Sequence, residues 1–315
     1  MNGRLFLAGG ILALSALTGQ AQTIGIGTTK AGATSQVTAG IATIVSKFSG
    51  MNMRTQPMGG TQQYIPVVNA GRLEFGAANI MQTHWSYDGV LMSKDRPNKN
   101  LRMVSTLMQF RVGAMVDGNS DIMKMSDLKG KRVPSQFSAA PLFAQIMDAY
   151  LANAGLSWKD VQAVPISGLR QHWDALAERK IDVIVAAVGS GYLNLLNKKL
   201  GKVRYISFNT EGPGAKKFLD MLSGVEYVTV KPNPKYTGVT GPTTVMGYDY
   251  MLFTHKDAKD EIVYKVTKAL YDHAKELKAT SPLWVTFDRK NMAKDQKLPF
   301  HPAAVRFYKE AGLMK

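Results

Sequence analysis

Four short segments rich in glycine and hydroxyl-bearing residues punctuate the chain, and each lies between a strand-like apolar run and a helix-like run. They are Thr28–Thr34, Gly59–Thr61, Ser135–Ser138 and Gly189–Gly191. Strands that alternate with helices in this way pair in parallel, because a parallel pair needs a long crossover connection. The repeat therefore predicts an α/β fold.

Hydrophobic spacing predicts the individual elements. Apolar residues recur at helical spacing along Ala33–Phe48, and Thr61–Asn69 and Asp260–Leu277 are predicted as further helices. A long strand over Leu107–Val116 ends the first series of elements, and a similar series then begins again. The chain is expected to form two lobes, with residues 22–113 and 236–315 in lobe I and residues 114–235 in lobe II. The cleft between two such lobes is the expected ligand site.

The N-terminal segment predicts export from the cell. A basic start, Met1–Arg4, precedes an apolar run, Leu5–Leu17, and small residues follow at Gly19 and Ala21. This is the pattern of a signal peptide over residues 1–21, cleaved near Ala21. No later stretch reaches the ~18 apolar residues of a membrane span. We expect a periplasmic protein without membrane insertion.

Composition narrows the possible sites. The chain has no cysteine, which excludes disulfides, zinc–thiolate sites and a lipid-modified cysteine anchor. It has 39 Lys and Arg against 23 Asp and Glu, a formal charge of +16, but no basic run is longer than Lys129–Arg132. Charge dispersed in this way does not predict a nucleic-acid partner. No acidic residue precedes Glu74, so the first part of the chain is suited to an anion.

The first glycine-rich segment is not a nucleotide site. Its glycine spacing matches a phosphate loop, but Ala33 stands where the phosphate-binding lysine is needed and Lys30 where a dinucleotide site needs glycine. No cofactor is therefore expected. A strand, a Gly/Thr loop and a helix start still present backbone N–H groups and a positive dipole end to an anion. Four such constructions, two in each half, predict a cleft that holds a carboxylate from both sides.

Catalytic signatures are sparse. The five histidines are scattered, and neither a Gly-x-Ser-x-Gly nor a His-Glu-x-x-His motif occurs. Ser190, between two glycines, is a candidate nucleophile without a base in the pattern. The chain is therefore expected not to be an enzyme, with a secreted hydrolase using Ser190 and a surface antigen without a small ligand as alternatives.

An ordered set of segments resembles the TAXI-type solute-binding subunits of tripartite ATP-independent periplasmic (TRAP) transporters. The segments extend over almost the whole predicted mature chain in the family's order: Ile24–Val45, Met58–Gly89, 126–133, 179–189, 260–273 and 300–313. The resemblance implies a two-lobe, type II binding-protein fold that closes on a solute. It also implies delivery of an organic acid to membrane permease subunits, without catalysis. A monomer is expected.

The resemblance also implies a set of ligand-binding positions. By position they are Thr28, Thr29, Lys30, Ala33, Thr34, Gly60, Thr61, Asn79, Phe137, Ser138, Gly189, Ser190 and Tyr236. The chain departs from the family where Ala31 and Ala33 replace motif residues and Asn79 replaces a glutamine. These departures, with Phe137, Met58 and Tyr192, suit a more apolar acid, such as an aromatic or keto acid. No metal site is expected.

A fixed guanidinium is expected to hold the carboxylate by a bidentate ion pair. Arg111 is the first candidate, because it lies where the first crossing strand passes the cleft. Arg170 and Lys30 are the next candidates, and for each cation the alternative is a surface charge. Closure is expected as a hinge motion near residues 111–116 and 231–242.

Overall fold

Strands and helices alternate through the computed structural model, which describes residues 22–315. The predicted signal peptide, residues 1–21, lies outside the described residues. The strands are β1 (Thr23–Thr29), β2 (Asn52–Met58), β3 (Phe75–Asn79), β4 (Leu101–Asp117), β5 (Arg132–Gln136), β6 (Gln162–Ile166), β7 (Ile184–Ala187), β8 (Val203–Ile206), β9 (Glu226–Val230) and β10 (Thr243–His255). The helices are α1 (Ala33–Phe48), α2 (Thr61–Asn69), α3 (Ile80–Asp88), α4 (Leu142–Asn153), α5 (Leu169–Ala177), α6 (Tyr192–Leu200), α7 (Gly212–Met221), α8 (Asp260–Asp272), α9 (Ala274–Thr280) and α10 (Pro302–Glu310).

The main sheet is mixed rather than wholly parallel. Its order is β2-β1-β3-β10-β4-β7, with β8 also pairing with β4 and β9 with β10. The strand–helix–strand units pair in parallel as predicted, in β1–β2, β1–β3 and the separate pair β5–β6. However, β10 returns through the sheet antiparallel to both β3 and β4, which strict alternation does not predict.

Two long strands connect the two ends of the main sheet. β4 pairs with β10 from Leu101 to Val112 and with β7 and β8 from there to Asp117. β10 pairs with β3 in its C-terminal half and with β9 in its N-terminal half. The middles of both long strands therefore lie side by side, between two groups of strands.

The spacing of apolar residues predicts the first two helices correctly. α1 and α2 have the predicted bounds, and Val37, Ile41 and Ile44 are buried along one face of α1. Burying each of these side chains contributes about 1.5–3 kcal/mol to folding. The predicted helix Asp260–Leu277 instead divides into α8 and α9, because the backbone of His273 leaves the helical region at φ −108 and ψ 36. The His273 ring stacks on Phe48, with ring centroids 3.5 Å apart.

Helix α3 has no apolar periodicity, and spacing alone does not predict it. Its ends are set by local chemistry: the Asn79 side chain accepts a hydrogen bond from the Gln82 N–H at the start, and Gly89 closes the end with φ 70. Among residues 22–315, no helix is both long and apolar enough to cross a membrane.

Candidate ligand-binding cavity

A cavity of about 80 Å³ lies where the two groups of strands meet. One side, the polar wall, is formed by Thr29, Ala31, Ala33, Thr34, Gly60, Thr61, Gln62, Asn79 and Gln82. The opposite side, the apolar wall, is formed by Ala140, Leu142, Phe143, Ile146, Leu169, Trp173, Val185 and Ala187. The floor between them is formed by Phe110, Val112, Tyr248 and Tyr250. The cavity therefore has two chemically different faces.

The polar wall consists of three strand-to-helix junctions. β1, β2 and β3 are parallel, so their carboxyl ends and the starts of α1, α2 and α3 lie at one edge of the sheet, where open α/β sheets bind ligands. The N-cap residues of α1 and α2 are Gly32 and Gly60, and neither helix has a side-chain cap. First-turn N–H groups that meet neither a side-chain cap nor a backbone carbonyl bond to water or to a ligand. In α2 the Gln63 N–H already donates to the Gly60 carbonyl at 3.0 Å, which leaves the N–H groups before it. Two helix starts at this wall are therefore open to an anion.

Hydroxyl groups connect the polar wall to the floor. Thr34 Oγ1 and Tyr250 Oη lie 2.8 Å apart and share a hydrogen bond. The buried Tyr64 hydroxyl lies behind them and donates to the carbonyl of Ala77 at 2.5 Å. Burial raises the pKa of Tyr248 and of Tyr250 far above the ordinary value, so both floor tyrosines are neutral. The cavity thus has neutral hydroxyls and amides as its polar groups.

The floor is formed by alternate residues of two strands, because every second side chain of a strand points to the same face of the sheet. Phe110 and Val112 on β4, and Tyr248 and Tyr250 on β10, point to one face of the sheet. The Phe110 and Tyr250 rings stack with their centroids 4.6 Å apart. Since the period is two, the intervening residues point away from the cavity.

Arg111 is one of those intervening residues. It borders a groove on the other face of the sheet with Gln109, Asp249 and Lys294. Its Nε atom is buried there without a hydrogen-bond partner among the described residues. The structure therefore places the first candidate cation behind the floor, outside the cavity.

The other two candidate cations also lie outside the cavity. Lys30 is exposed. Arg170 Nε lies 2.9 Å from Asp174 Oδ2, and its side chain is 58% exposed. None of the lining residues carries a formal charge, so a ligand here meets no fixed cation.

The apolar wall is anchored by Trp173, which is 7% exposed. Its indole N–H donates to the Val185 carbonyl at 3.2 Å. The ring also covers the turn before α1: Gly32 has φ +94, and a Cβ added there would lie 2.6 Å from Cη2 of Trp173. A side chain at this position would thus be strained by the backbone and would collide with the indole.

His172, next to Trp173, is a structural residue of this wall. Its Nδ1 lies 2.9 Å from the Leu169 carbonyl, and Nε2 accepts from the Val185 N–H at 3.1 Å. The backbone N–H can only donate, so the ring is neutral with its proton on Nδ1. Complete burial lowers the pKa of His172 to about 4.

The structure brings together only part of the predicted site. Six predicted residues line the cavity: Thr29, Ala33, Thr34, Gly60, Thr61 and Asn79. The other ten are not among the lining residues: Thr28, Lys30, Arg111, Phe137, Ser138, Arg170, Gly189, Ser190, Tyr192 and Tyr236. Two of the four glycine- and hydroxyl-rich segments therefore contribute to one wall, and the other two contribute no hydroxyl to the opposite wall.

Ser190 bridges two elements. Its Oγ accepts a hydrogen bond from Gln36 Nε2 at 3.3 Å, and the N–H of Gly191 donates to Gln36 Oε1 at 3.2 Å. Within residues 22–315, no histidine or carboxylate is hydrogen-bonded to this hydroxyl. The turn after β7, which contains Gly189, is thereby attached to α1.

The remaining predicted residues serve packing or lie at the surface. Thr28 shares a 2.5 Å hydrogen bond with Thr38, and Phe137 is completely buried beside Phe143. Ser138 is exposed.

Two predicted tyrosines also lie outside the lining. The Tyr192 hydroxyl donates to Asp174 at 2.7 Å, and burial with this bond raises its pKa to about 12. Tyr236 is buried in a small recess next to Arg111.

The residues that sequence reasoning missed are mainly aromatic. Phe143, Phe110 and Tyr250 lie in mostly apolar segments, where the ordinary expectation is core packing, whereas Trp173 lies between the polar residues His172 and Asp174. For Phe110 a usable signal exists: a crossing strand that exposes Arg111 on one face must expose residues 110 and 112 on the other. Gln82 lies in the helix that apolar spacing did not predict.

Two α/β groups joined by long crossing strands, with a cavity at their junction, form the type II fold of periplasmic solute-binding proteins. MatC from Rhodopseudomonas palustris, with bound malate, is similar at 15% identity over 82% of this chain and 87% of that chain, with a TM-score of 0.56. A periplasmic transporter is similar at 14% identity over 92% and 93% of the chains, with a TM-score of 0.57. A Bordetella bronchiseptica RB50 protein is similar at 14% identity over 92% and 98%, with a TM-score of 0.51.

The family model for the NMT1-like family matches residues 26–312, and the chain belongs to this family. One of these structures holds malate and another is a periplasmic transporter, in agreement with the expectation that the chain is not an enzyme. The predicted fold class is confirmed.

Proposed function

We propose that the protein is a periplasmic receptor of the TAXI type that binds a small organic acid anion and delivers it to a TRAP permease. The observation that carries the proposal is the cavity, in which open helix starts and hydroxyls face a wall of aromatic and aliphatic side chains. A carboxylate with an apolar body matches both walls at once. The similar MatC structure holds malate, which is also an organic acid.

The carboxylate binds the polar wall without an ion pair. Backbone N–H groups at the starts of α1 and α2 and the hydroxyls of Thr34 and Thr61 are its donors. Hydrogen bonds to a charged group are stronger than those between neutral groups, and the dipoles of helix starts favour an anion. One negative charge is suited to this wall. A second carboxylate would face Phe143 and Trp173, where nothing compensates its loss of hydration.

The body of the acid packs on the apolar wall. Phe143, Leu169 and Trp173 form a face suited to an aromatic ring or a branched aliphatic chain. This arrangement supports an aromatic or keto acid as the solute class.

Binding is coupled to closure of the two lobes, formed by residues 22–113 with 236–315 and by residues 114–235. Two glutamines of the first lobe already contact the second: Gln36 contacts Ser190 and Gly191, and Gln62 Nε2 donates to the carbonyl of Ala139 at 2.8 Å. A solute that contacts both walls stabilises the closed form by its greater affinity for it. The closed form is the one presented to the permease, in the periplasm and after removal of residues 1–21.

A thermal-shift screen of carboxylic acids at fixed pH and salt tests the proposal. An acid at 100 times its Kd raises the free energy of unfolding by about 2.7 kcal/mol. The screen includes aromatic, keto, amino and dicarboxylic acids. The absence of any shift at millimolar concentrations would overturn the receptor function.

A matched pair of threonine variants tests whether an acid found in the screen binds in the cavity. Thr34→Val removes a cavity hydroxyl, and we expect at least about a tenfold rise in Kd, because hydrogen bonds to charged groups contribute about 1.5–3 kcal/mol. Thr43→Val makes the same change on the exposed face of the same helix and should leave Kd unchanged. Equal Kd values for the two variants would place the ligand elsewhere.

A further inference from the structure

Two buried amide side chains at the start of α3 form a pair on the polar wall. Asn79 and Gln82 are each 4% exposed, and both line the cavity. The backbone N–H of Gln82 donates to Asn79 Oδ1 at 2.8 Å, and Asn79 Nδ2 donates to Gln82 Oε1 at 2.7 Å. The two side chains therefore hold each other in one arrangement.

The backbone decides which way both amides point. The Gln82 N–H can only donate, so the Asn79 atom that it meets is the oxygen, and the other Asn79 atom is the NH₂ group. That NH₂ group must in turn meet the oxygen of Gln82. The group left at the end of Gln82 is then its own NH₂, whose contact is Met92 Sδ at 3.6 Å.

A thioether sulfur is a weak acceptor, so the Gln82 NH₂ keeps most of its capacity to donate. Each amide oxygen already accepts one hydrogen bond inside the pair, and the groups left without a strong partner are N–H. This corner is thus suited to an oxygen atom of the ligand and is unsuited to an ammonium group.

The lining contains no Asp or Glu that an ammonium could pair with. In an α-amino acid, the ammonium is bonded to the carbon next to the carboxylate, so it must enter the polar wall with it. There it would meet N–H donors and neutral hydroxyls after losing its water, which is unfavourable for an unpaired charge.

We infer that Gln82, oriented by Asn79, is a specificity-determining residue that selects carboxylic acids without an α-ammonium group. Asn79 is its positioning residue. The inference rests on the proposed function and narrows its solute class to unsubstituted or 2-oxo acids with one carboxylate. Gln82 receives a carboxylate or keto oxygen of the solute.

Calorimetric titration with matched compounds tests the selectivity in the wild-type protein. The sets are phenylpyruvate, 3-phenylpropionate and phenylalanine, and 4-methyl-2-oxopentanoate, 4-methylpentanoate and leucine. In at least one set, an acid is expected to bind at least about 100-fold more tightly than the amino acid. Amino acids that bind within tenfold of the acids would overturn the inference and leave the proposed function standing. A chain that binds no carboxylic acid of any class would overturn both.

Gln82→Glu tests the donor itself. One carboxylate oxygen still accepts from Asn79, but the other replaces the NH₂ group, so the corner changes from donor to acceptor. The preference for the acid over the amino acid should fall at least about tenfold. Gln63→Glu adds the same charge at an exposed position of α2 and should leave the preference unchanged.

Two further variants separate charge from orientation. Gln82→Met removes the donor without adding charge and should weaken the acid without strengthening the amino acid. Asn79→Asp still accepts from the Gln82 N–H, but it cannot donate to Oε1, so the Gln82 amide turns its oxygen toward the cavity. Its acid preference should fall as in Gln82→Glu. An acid preference that stays at the wild-type value in Gln82→Glu, Gln82→Met and Asn79→Asp would overturn the inference.

Discussion

The polar and apolar walls of the cavity are built by different physical means. The polar wall is made mostly of main chain and short side chains at three strand-to-helix junctions, and its geometry is fixed by the sheet. The apolar wall consists of Ala140 and of side chains from α4, α5 and β7, and its shape depends on how Trp173 and Phe143 pack. The polar wall is thus insensitive to most side-chain changes, whereas the apolar wall is the part that substitutions can reshape.

Removal of the main aromatic anchor should have the largest effect. Trp173→Ala is expected to lower the free energy of unfolding by about 3–5 kcal/mol, because it leaves a large void in a packed wall. The measurement is urea denaturation with and without a bound acid. Trp158→Ala, in a half-buried tryptophan that is not among the lining residues, is the matched control and should cost less. Equal losses would mean that Trp173 has no special role in the wall.

The apolar wall should also impose a pH dependence. His172 has a pKa of about 4 in the fold against an ordinary 6.5, so between these values the unfolded chain binds the proton and the folded chain does not. Stability should therefore fall as the pH drops from 6.5 toward 4, by up to about 3 kcal/mol. His172→Gln removes this contribution, so its unfolding free energy should decline less over that range. An identical pH profile for the two proteins would contradict a dry environment around the ring.

The contact between the walls can be tested at Gly32. Gly32→Ala is expected to cost about 1–3 kcal/mol, from a strained positive φ and a collision with Trp173. Gly50→Ala also adds a side chain at a positive φ, +74, with nothing within 4 Å of the new methyl group. The difference between the two variants in chemical denaturation measures the Trp173 contact together with the difference in backbone strain. A cost at Gly32 no larger than that at Gly50 would show that the indole moves aside freely.

The smallest effect is expected at Arg111. Since its side chain lies behind the floor, Arg111→Ala should change the affinity for an acid by less than about threefold. Titration of the variant against wild type measures this directly. A rise in Kd of tenfold or more would show that a guanidinium takes part in binding after all.

Sequence reasoning predicted the polar wall better than the apolar wall. Glycine and hydroxyl residues at the starts of α1 and α2 form a local pattern, and local patterns are visible in one sequence. Trp173 and Phe143 face the cavity because α4 and α5 pack across from α1, and this arrangement depends on contacts between distant segments. The spacing of these aromatic residues in the sequence is the same whether they pack in the core or contact a ligand.

The position of Arg111 has a similar origin. Apolar residues predict a strand over Leu107–Val116, which lies within the longer β4, but they do not indicate which face of that strand borders the cavity. A shift of one residue along a strand reverses the side on which a side chain lies. Helix α3 was missed because the Asn79 cap and Gly89 define it without an apolar stripe.

The absence of formal charge among the lining residues has a consequence for kinetics. The chain carries a formal charge of +16, and this field speeds the encounter with an anion in a manner that salt screens. Once enclosed, the solute is held by uncharged groups that ionic strength hardly affects. Salt should therefore slow association and leave the residence time of the bound acid nearly constant. The association rate then depends on ionic strength, whereas the dissociation rate does not.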